Sequence, residues 1–399
     1  MHPKPIELGL ERVRAVAARL DLPARDIRTL TVAGTNGKGS STMLAAEAWR
    51  AAGFRVGAYT SPHLYRYNER VAIDGEPASD MRLCEAFVAV EQARQGVPLT
   101  YFEFGTLAAL WLFREARVQV QVLEVGLGGR LDAVNLVDAH AALITSIGLD
   151  HLDWLGPDRE SVGREKAGVL RAGRPAVLAD ADMPASVAAE VARLGVPAWQ
   201  LERDYRWQPA GDAWSWLGPD VTYRKLPPPA LAGRVQFQNA AGVIAAIQRL
   251  QNELPTPETA LRSALPRLAL PGRFERRGDL VLDVAHNVEA AQVLAENLRS
   301  AGIPGVVLVL GMLQDKPVEA FCQALRPLAR VAFAAGLPGP RGLAGETLAR
   351  RAATAGLDAR ACADVAEALE RARQARQPAE SIVVCGSFLT VAAAGSVHG

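Results

Sequence analysis

Gly34-Thr35-Asn36-Gly37-Lys38-Gly39-Ser40-Ser41 decides how this chain is read. The apolar run at residues 29–33 (Thr-Leu-Thr-Val-Ala) reads as a buried strand, and residues 40–52 carry helical spacing. A strand that turns through glycines into a helix N-terminus is built to hold phosphate. Backbone N–H groups and the positive helix end face the anion, and a lysine reaches its outer phosphates. The usual G-x-x-x-x-G-K-[ST] spacing is not kept, because Val32 and Gly39 occupy the outer glycine and hydroxyl positions. Lys38 gains weight from composition: Lys4, Lys38, Lys166, Lys225 and Lys316 are the only lysines among 44 basic residues. A lysine inside a motif is then conspicuous, since it offers a compact charge and a reachable neutral amine that arginine lacks.

Outward from the loop, strand-like runs at 55–60, 118–125 and 141–148 alternate with helical segments at 104–117 and 159–171. That alternation predicts βαβ units and a mainly parallel sheet. Over 204–231, Trp207, Trp214, Trp216 and Tyr223 alternate with polar residues, as in a small antiparallel patch. Helical spacing returns at 238–250 and 257–264. The break at Leu270-Pro271-Gly272 then separates domains 1–272 and 273–399, the second opening a new series with strands at 280–284, 305–310 and 381–385. The expected fold is α/β: a P-loop-type, mainly parallel sheet in the N-terminal domain, and a smaller Rossmann-like α/β C-terminal domain, with chemistry at their cleft.

Composition removes several classes of function. In 399 residues, 44 Lys+Arg against 43 Asp+Glu leave a net charge of +1, which excludes a globally basic nucleic-acid binder. Cys84, Cys322, Cys362 and Cys385 are scattered without metal-ligand spacing, which fits a reducing cytosol rather than a disulfide scaffold. Met1-His2-Pro3-Lys4-Pro5 is no signal pattern, and the apolar run 104–113 is too short to span a membrane. A cytoplasmic monomer acting on small molecules is expected, without nucleic-acid or membrane partners.

Several other residues stand where chemistry is done. Glu124 ends an apolar strand of the loop's own sheet, from which a carboxylate can reach phosphate-bound Mg²⁺ or simply lie exposed. Asp150-His151 follows another strand end. Lys166 lies among Glu160, Arg164 and Glu165, where it is either a solvated helix lysine or a functional amine. Asp283, His286 and Asn287 mark a second strand-to-helix junction, with Asn287 suited to cap the helix.

Taken together, Thr35-Asn-Gly-Lys-Gly-Ser40, Ser61-Pro62-His63, Thr100-Tyr101-Phe102-Glu103, Glu124-Val-Gly-Leu-Gly-Gly-Arg130-Leu131-Asp132, Asp150-His151, Glu165-Lys166-Ala-Gly168, Pro271-Gly-Arg273-Phe274 and Asp283-Val-Ala-His286-Asn287 resemble the dihydrofolate synthase/folylpolyglutamate synthase family of the Mur ligase superfamily. The likeness runs from about Leu8 to Val391 with the motifs in order. It implies an ATP-dependent ligase that adds L-glutamate to dihydropteroate and to folates. It further implies ATP binding by Thr35, Asn36, Gly37, Lys38, Gly39, Ser40, Asn239, Arg273 and Asp283, and Mg²⁺ held by Ser61, Glu124 and His151. A carbamylated Lys166 would hold a second Mg²⁺, with Arg164 favouring the neutral amine. Lys38, His151 and Lys166 are the implied catalytic set.

Glu7, Leu8, Gly9, Thr100, Tyr101, Phe102, Glu103, Arg130, Leu131 and Asp132 resemble the pteroate pocket of bifunctional members. Tyr101 and Phe102 can flank a flat pterin, and Glu103 or Asp132 can accept its N–H donors. His286, Lys316 and Arg341 are the glutamate-side candidates. Val235 and Val288 depart from the family's usual His and Pro. A folylpolyglutamate synthase alone remains an alternative, and a nucleotide switch is the rival from another class. A muramyl ligase is disfavoured, because only 33 residues precede Gly34.

Overall fold

The computed structural model describes residues 7–24 and 26–396. The chain divides into two compact units: residues up to Ala230 together with Gln236–Leu268, and Ala269–Gly399 together with the short segment Leu231–Val235.

The first unit is built on an eight-stranded sheet. Its strands are β1 (Arg28–Ala33), β2 (Val56–Tyr59), β3 (Val71–Ile73), β4 (Glu76–Pro77), β5 (Val120–Glu124), β6 (Ala141–Ile144), β7 (Ala176–Leu178) and β8 (Ala198–Gln200). They lie in the order β4-β3-β2-β5-β1-β6-β7-β8. All pairs from β2 to β8 are parallel; β3 and β4 add an antiparallel edge. The central strands are buried on both faces, hence their unbroken apolar runs: Leu30, Val32, Val122 and Leu143 are all fully enclosed. Order reverses at β1, with β5 on one side and β6 on the other, and ligands bind α/β sheets at such a reversal.

The alternating tryptophans of the sequence form a three-stranded antiparallel sheet of β9 (Arg206–Ala210), β10 (Ala213–Leu217) and β11 (Thr222–Leu226). Trp214 and Trp216 point inward and are fully buried.

The second unit carries β12 (Glu275–Arg277), β13 (Leu280–Leu282), β14 (Val306–Leu310), β15 (Ala329–Ala335), β16 (Ala359–Cys362) and β17 (Ser381–Cys385). Their order is β12-β13-β17-β14-β15-β16, parallel except for the edge strand β12. Leu308, Val383, Leu294 and Phe321 fill a core of their own. The α/β class expected from the alternating pattern is the class observed.

Candidate active site

Three chain segments leave the sheet side by side. Val32 pairs with Glu124 and Ala33 with Ile144, so the glycine loop, the end of β5 and the loop after β6 share one edge. The helix Lys38–Ala51 starts two residues earlier than its spacing suggested, directly at the loop lysine. Its N-cap is Gly37, at φ +84°, and no side chain caps it. Uncapped N–H groups and the helix dipole together favour an anion.

Side chains from elsewhere fix the loop. Thr35 N–H donates to Ser146 O at 2.8 Å and Gly148 N–H to Thr35 Oγ1 at 2.9 Å. The Thr145 hydroxyl donates to Asn36 O at 2.7 Å. Asn239, on the helix Arg234–Arg249, donates to Ser40 Oγ at 3.3 Å, and a Cβ added at Gly37 would meet its Oδ1 at 2.5 Å. Position 37 therefore needs glycine both for its φ and for this close approach.

Two lysines meet at Gly34. Lys38 Nζ donates to Gly34 O and Thr35 O, each at 3.0 Å. Lys166 Nζ, from the helix Arg159–Ala167, donates to the same Gly34 O at 2.7 Å. Lys166 is buried, and desolvation with the Lys38 charge pushes its amine down to about 7, against the pull of Asp150 and Asp132. The neutral amine expected there is thus favoured by burial and Lys38, not by Arg164. Glu160 and Glu165 do not neutralise Lys166 either. Glu160 accepts from Ala185 and Ser186 N–H, and Glu165 pairs with Arg130 at 2.8 Å.

Glu124 is buried, and its Oε2 accepts Ser61 N–H at 2.9 Å. A Cβ on Gly39 would stand 3.6 Å from that oxygen, so the carboxylate lies against the loop backbone. A buried carboxylate beside a hydroxyl residue and a phosphate loop is an oxygen-rich setting that suits a hard divalent cation. His151 adopts φ +54°, with Nε2 4.0 Å from Asp150 Oδ2. No three His, Cys, Asp or Glu residues converge among the described residues. Within the expected set, Ser61 and Glu124 are joined by the N–H to carboxylate bond.

The proposed pteroate residues are knit together by hydrogen bonds. Thr100 and Glu103 form a capping box that starts the helix Tyr101–Glu115. Glu103 also accepts Arg12 Nη2 at 2.9 Å, and Arg12 reaches back to Glu7 O and Oε1 at 2.9 and 3.2 Å. Arg12 therefore ties the segment of Glu7, Leu8 and Gly9 to the helix start. Asp132 accepts from Gly126, Leu127 and Val134 N–H, and burial pushes its carboxyl up to about 6. Both acids expected as pterin acceptors already hold donors of this chain. Phe102 packs 5.9 Å from Tyr59 and so close to Gly126 that a Cβ there would meet its ring at 2.6 Å, whereas Tyr101 is exposed. Arg130 and Leu131 sit at the surface end of this loop.

Sequence reading passed over Arg70. Its Nε–H donates to His63 Nδ1 at 2.8 Å, and its guanidinium lies over the Tyr67 and Tyr101 rings. A basic residue soon after Ser-Pro-His was the available signal.

In the second unit, Asp283 accepts Phe274 and Ala285 N–H at 2.9 and 2.8 Å, and desolvation raises its carboxyl against the lowering effect of Arg273. Arg273 lies 5.3 Å and His286 6.2 Å from the Phe388 ring, so the three expected residues share one neighbourhood. Asn287 caps the helix Val288–Ser300, as its position suggested. Lys316 and Arg341 both face Asp315, at 3.4 and 2.9 Å.

Comparison with known proteins identifies this arrangement. Residues 32–204 match the Mur ligase middle domain and 272–388 the Mur ligase, glutamate ligase domain. Dihydrofolate synthase/folylpolyglutamate synthase of Escherichia coli (strain K12) is 40% identical over 98% of this chain and 92% of its own length. The chain belongs to the dihydrofolate synthase/folylpolyglutamate synthase family. The E. coli FolC structure in complex with DHPP and ADP superposes with a TM-score of 0.93 at 40% identity, covering 99% of this chain and 94% of that one. A bifunctional folylpolyglutamate synthase/dihydrofolate synthase with Mn, AMPPNP and L-glutamate bound gives 0.91 at 43% identity, covering 99% and 95%. Membership makes the protein an ATP-dependent, ADP-forming amino-acid ligase, so the nucleotide-switch and muramyl-ligase alternatives fall away. No helix among the described residues is long and apolar enough to cross a membrane.

Proposed function

We propose that the protein joins L-glutamate to dihydropteroate, forming dihydrofolate, and extends reduced folates with further glutamates, consuming one ATP per amide bond. The observation that carries this reading is the convergence of an uncapped helix N-terminus, Lys38, Lys166 and buried Glu124 on one strand edge. The DHPP and ADP bound by the 40%-identical FolC structure support the same reading.

The substrate carboxylate attacks the γ-phosphorus of ATP, giving an acyl phosphate and ADP. The α-amine of glutamate then attacks the acyl carbon and phosphate leaves. The loop N–H groups receive the phosphates. Lys38 exchanges its two carbonyl partners for a γ-phosphate oxygen and stabilises the charge that spreads over the transferring group. Ser61, Glu124 and His151 would hold Mg²⁺, which supplies charge neutralisation on the phosphates. Lys166, neutral above about pH 7, would add through nitrogen to CO₂ with loss of a proton, and the resulting carbamate would supply an anionic group to a second Mg²⁺. Asn239 braces the loop, Asp283 and Arg273 bind ATP, and His286, Lys316 and Arg341 face the incoming glutamate. Arg12 holds the two halves of the pteroate site in register, with Tyr101 and Phe102 against the pterin.

The test is phosphate release by the purified protein with glutamate and either dihydropteroate or tetrahydrofolate. Turnover of both is expected. Turnover of tetrahydrofolate alone would reduce the protein to a folylpolyglutamate synthase.

A further inference from the structure

Arg70 is a charged residue with only 8% of its surface exposed, yet it forms no ion pair among the described residues. Its Nε–H donates to His63 Nδ1, and its guanidinium is 5.5 Å from the centre of the Tyr67 ring and 5.3 Å from that of Tyr101. The adjacent acid offers no relief. Glu69 accepts the backbone N–H groups of Leu64, Tyr65 and Arg66 at 2.7, 2.9 and 2.7 Å. The other four guanidinium N–H donors have no protein partner among the described residues, and their nitrogens keep some access to solvent. A charge with so little exposure is normally paired, because even partial removal from water is costly. The two aromatic faces offset only part of that cost. A rigid fork of N–H donors held by a histidine and two rings has the geometry for bidentate contact with a carboxylate.

Its position narrows the choice of carboxylate. On one side is the turn whose Ser61 N–H binds Glu124; on the other is Tyr101, first residue of the helix whose Phe102 packs on Gly126. Arg70 therefore stands between the phosphate edge and the pteroate segment. The two acceptor substrates differ there in one respect. Dihydropteroate has a single carboxylate, the one that reacts. A folate ends in a glutamyl group, whose γ-carboxylate reacts and whose α-carboxylate is spare.

We propose that Arg70 receives the spare α-carboxylate of the folate tail, so that it serves folate extension and not dihydrofolate formation. The proposal rests on the two-substrate reading given above and adds a residue that separates the two activities. His63 acts as a positioning residue, since its Nδ1 fixes the direction of the fork.

The experiment uses the full chain and measures kcat and KM for dihydropteroate, tetrahydrofolate and the α-carboxamide analogue of tetrahydrofolate, in wild type and Arg70→Gln. Losing a charge-assisted pair should raise KM for tetrahydrofolate about 10-fold or more in the variant, with dihydropteroate changed less than ~3-fold. Wild type should show a similar penalty for the carboxamide, and Arg70→Gln should show no additional one. The carboxamide comparison in wild type needs no altered protein to fold. An equal rise for both natural substrates, or a wild type indifferent to the carboxamide, overturns the proposal and leaves the ligase reading standing. Turnover of neither natural substrate by wild type overturns both.

Discussion

Gly34→Ala should damage this enzyme more than any other single methyl group added to the loop. Gly34 has φ +150°, and its added Cβ would lie 1.9 Å from Thr145 Oγ1 and 3.1 Å from Ser146 N. The Thr145 hydroxyl cannot swing aside freely, because Ala33 O and Asn36 O accept from it at 3.3 and 2.7 Å. Holding alanine at that φ costs ~1–3 kcal/mol. Forcing a carbon into a filled site costs ~1–3 kcal/mol more. The total of about 2–6 kcal/mol should lower the unfolding midpoint by at least ~4 °C. In Gly34→Ala/Thr145→Ala the obstructing oxygen is gone, so the overpacking share should return, less ~0.5–1.5 kcal/mol for the lost hydrogen bonds. The backbone share should remain. Unfolding of the four proteins in urea measures this coupling, and binding of a non-hydrolysable ATP analogue reports whether Gly34 O still receives both lysines. A Gly34→Ala midpoint equal to wild type, or strictly additive effects, would refute the argument.

Three further outcomes are expected. Lys38→Ala should lower kcat by ~100-fold or more, the scale for losing one preorganised charge stabiliser, and near-normal turnover would remove Lys38 from the chemistry. Bicarbonate-free protein should gain stability as pH rises from about 7 to 10.5, because over that window unfolded Lys166 holds a proton that the folded amine has released. Lys166→Met should lack that part of the slope, and identical slopes in urea titrations would refute it. Arg12→Ala should raise KM for dihydropteroate while leaving KM for ATP unchanged, since it cuts the tie between Glu7 and Glu103. A parallel change in both would show only a general loosening.

What was legible in the sequence was whatever is local along the chain. The run 29–33, its glycines and the helical spacing after it are neighbours, and β1, the loop and the helix Lys38–Ala51 fall within two residues of those bounds. Helix starts drifted where a cap decides them. Thr100 and Glu103 begin the helix at Tyr101, three residues before the apolar spacing becomes clear. β7 is a three-residue strand, and β15 is an alanine-rich one whose composition suits a helix as well. In the site, motif residues were legible and their partners were not. The Lys166 bond to Gly34 spans 132 positions and the Arg12 bond to Glu103 spans 91. Arg164 is close to Lys166 in sequence, but residues two apart on a helix point in different directions, and Arg164 is not among the groups that shift the Lys166 amine.

The loop's departure from the usual phosphate-loop spacing has a structural counterpart. In the usual loop, the residue after the lysine offers a hydroxyl to Mg²⁺. Here that residue is Gly39, and a carboxylate from a neighbouring strand, Glu124, comes within 3.6 Å of where its Cβ would be. Ser61, past the end of β2, binds that carboxylate through its own N–H. Groups that one loop would carry thus arrive from three strands, and their spacing is set by sheet register: Val32 against Glu124, and Tyr59 against Leu123. A slip of one residue in β5 would turn Glu124 to the opposite face of the sheet. The apolar residues that forbid the slip, Val32 and Val122 among them, are fully enclosed and carry no reactive group. Their packing nevertheless aims the carboxylate, so core substitutions that loosen the register should impair phosphoryl transfer before they unfold the domain.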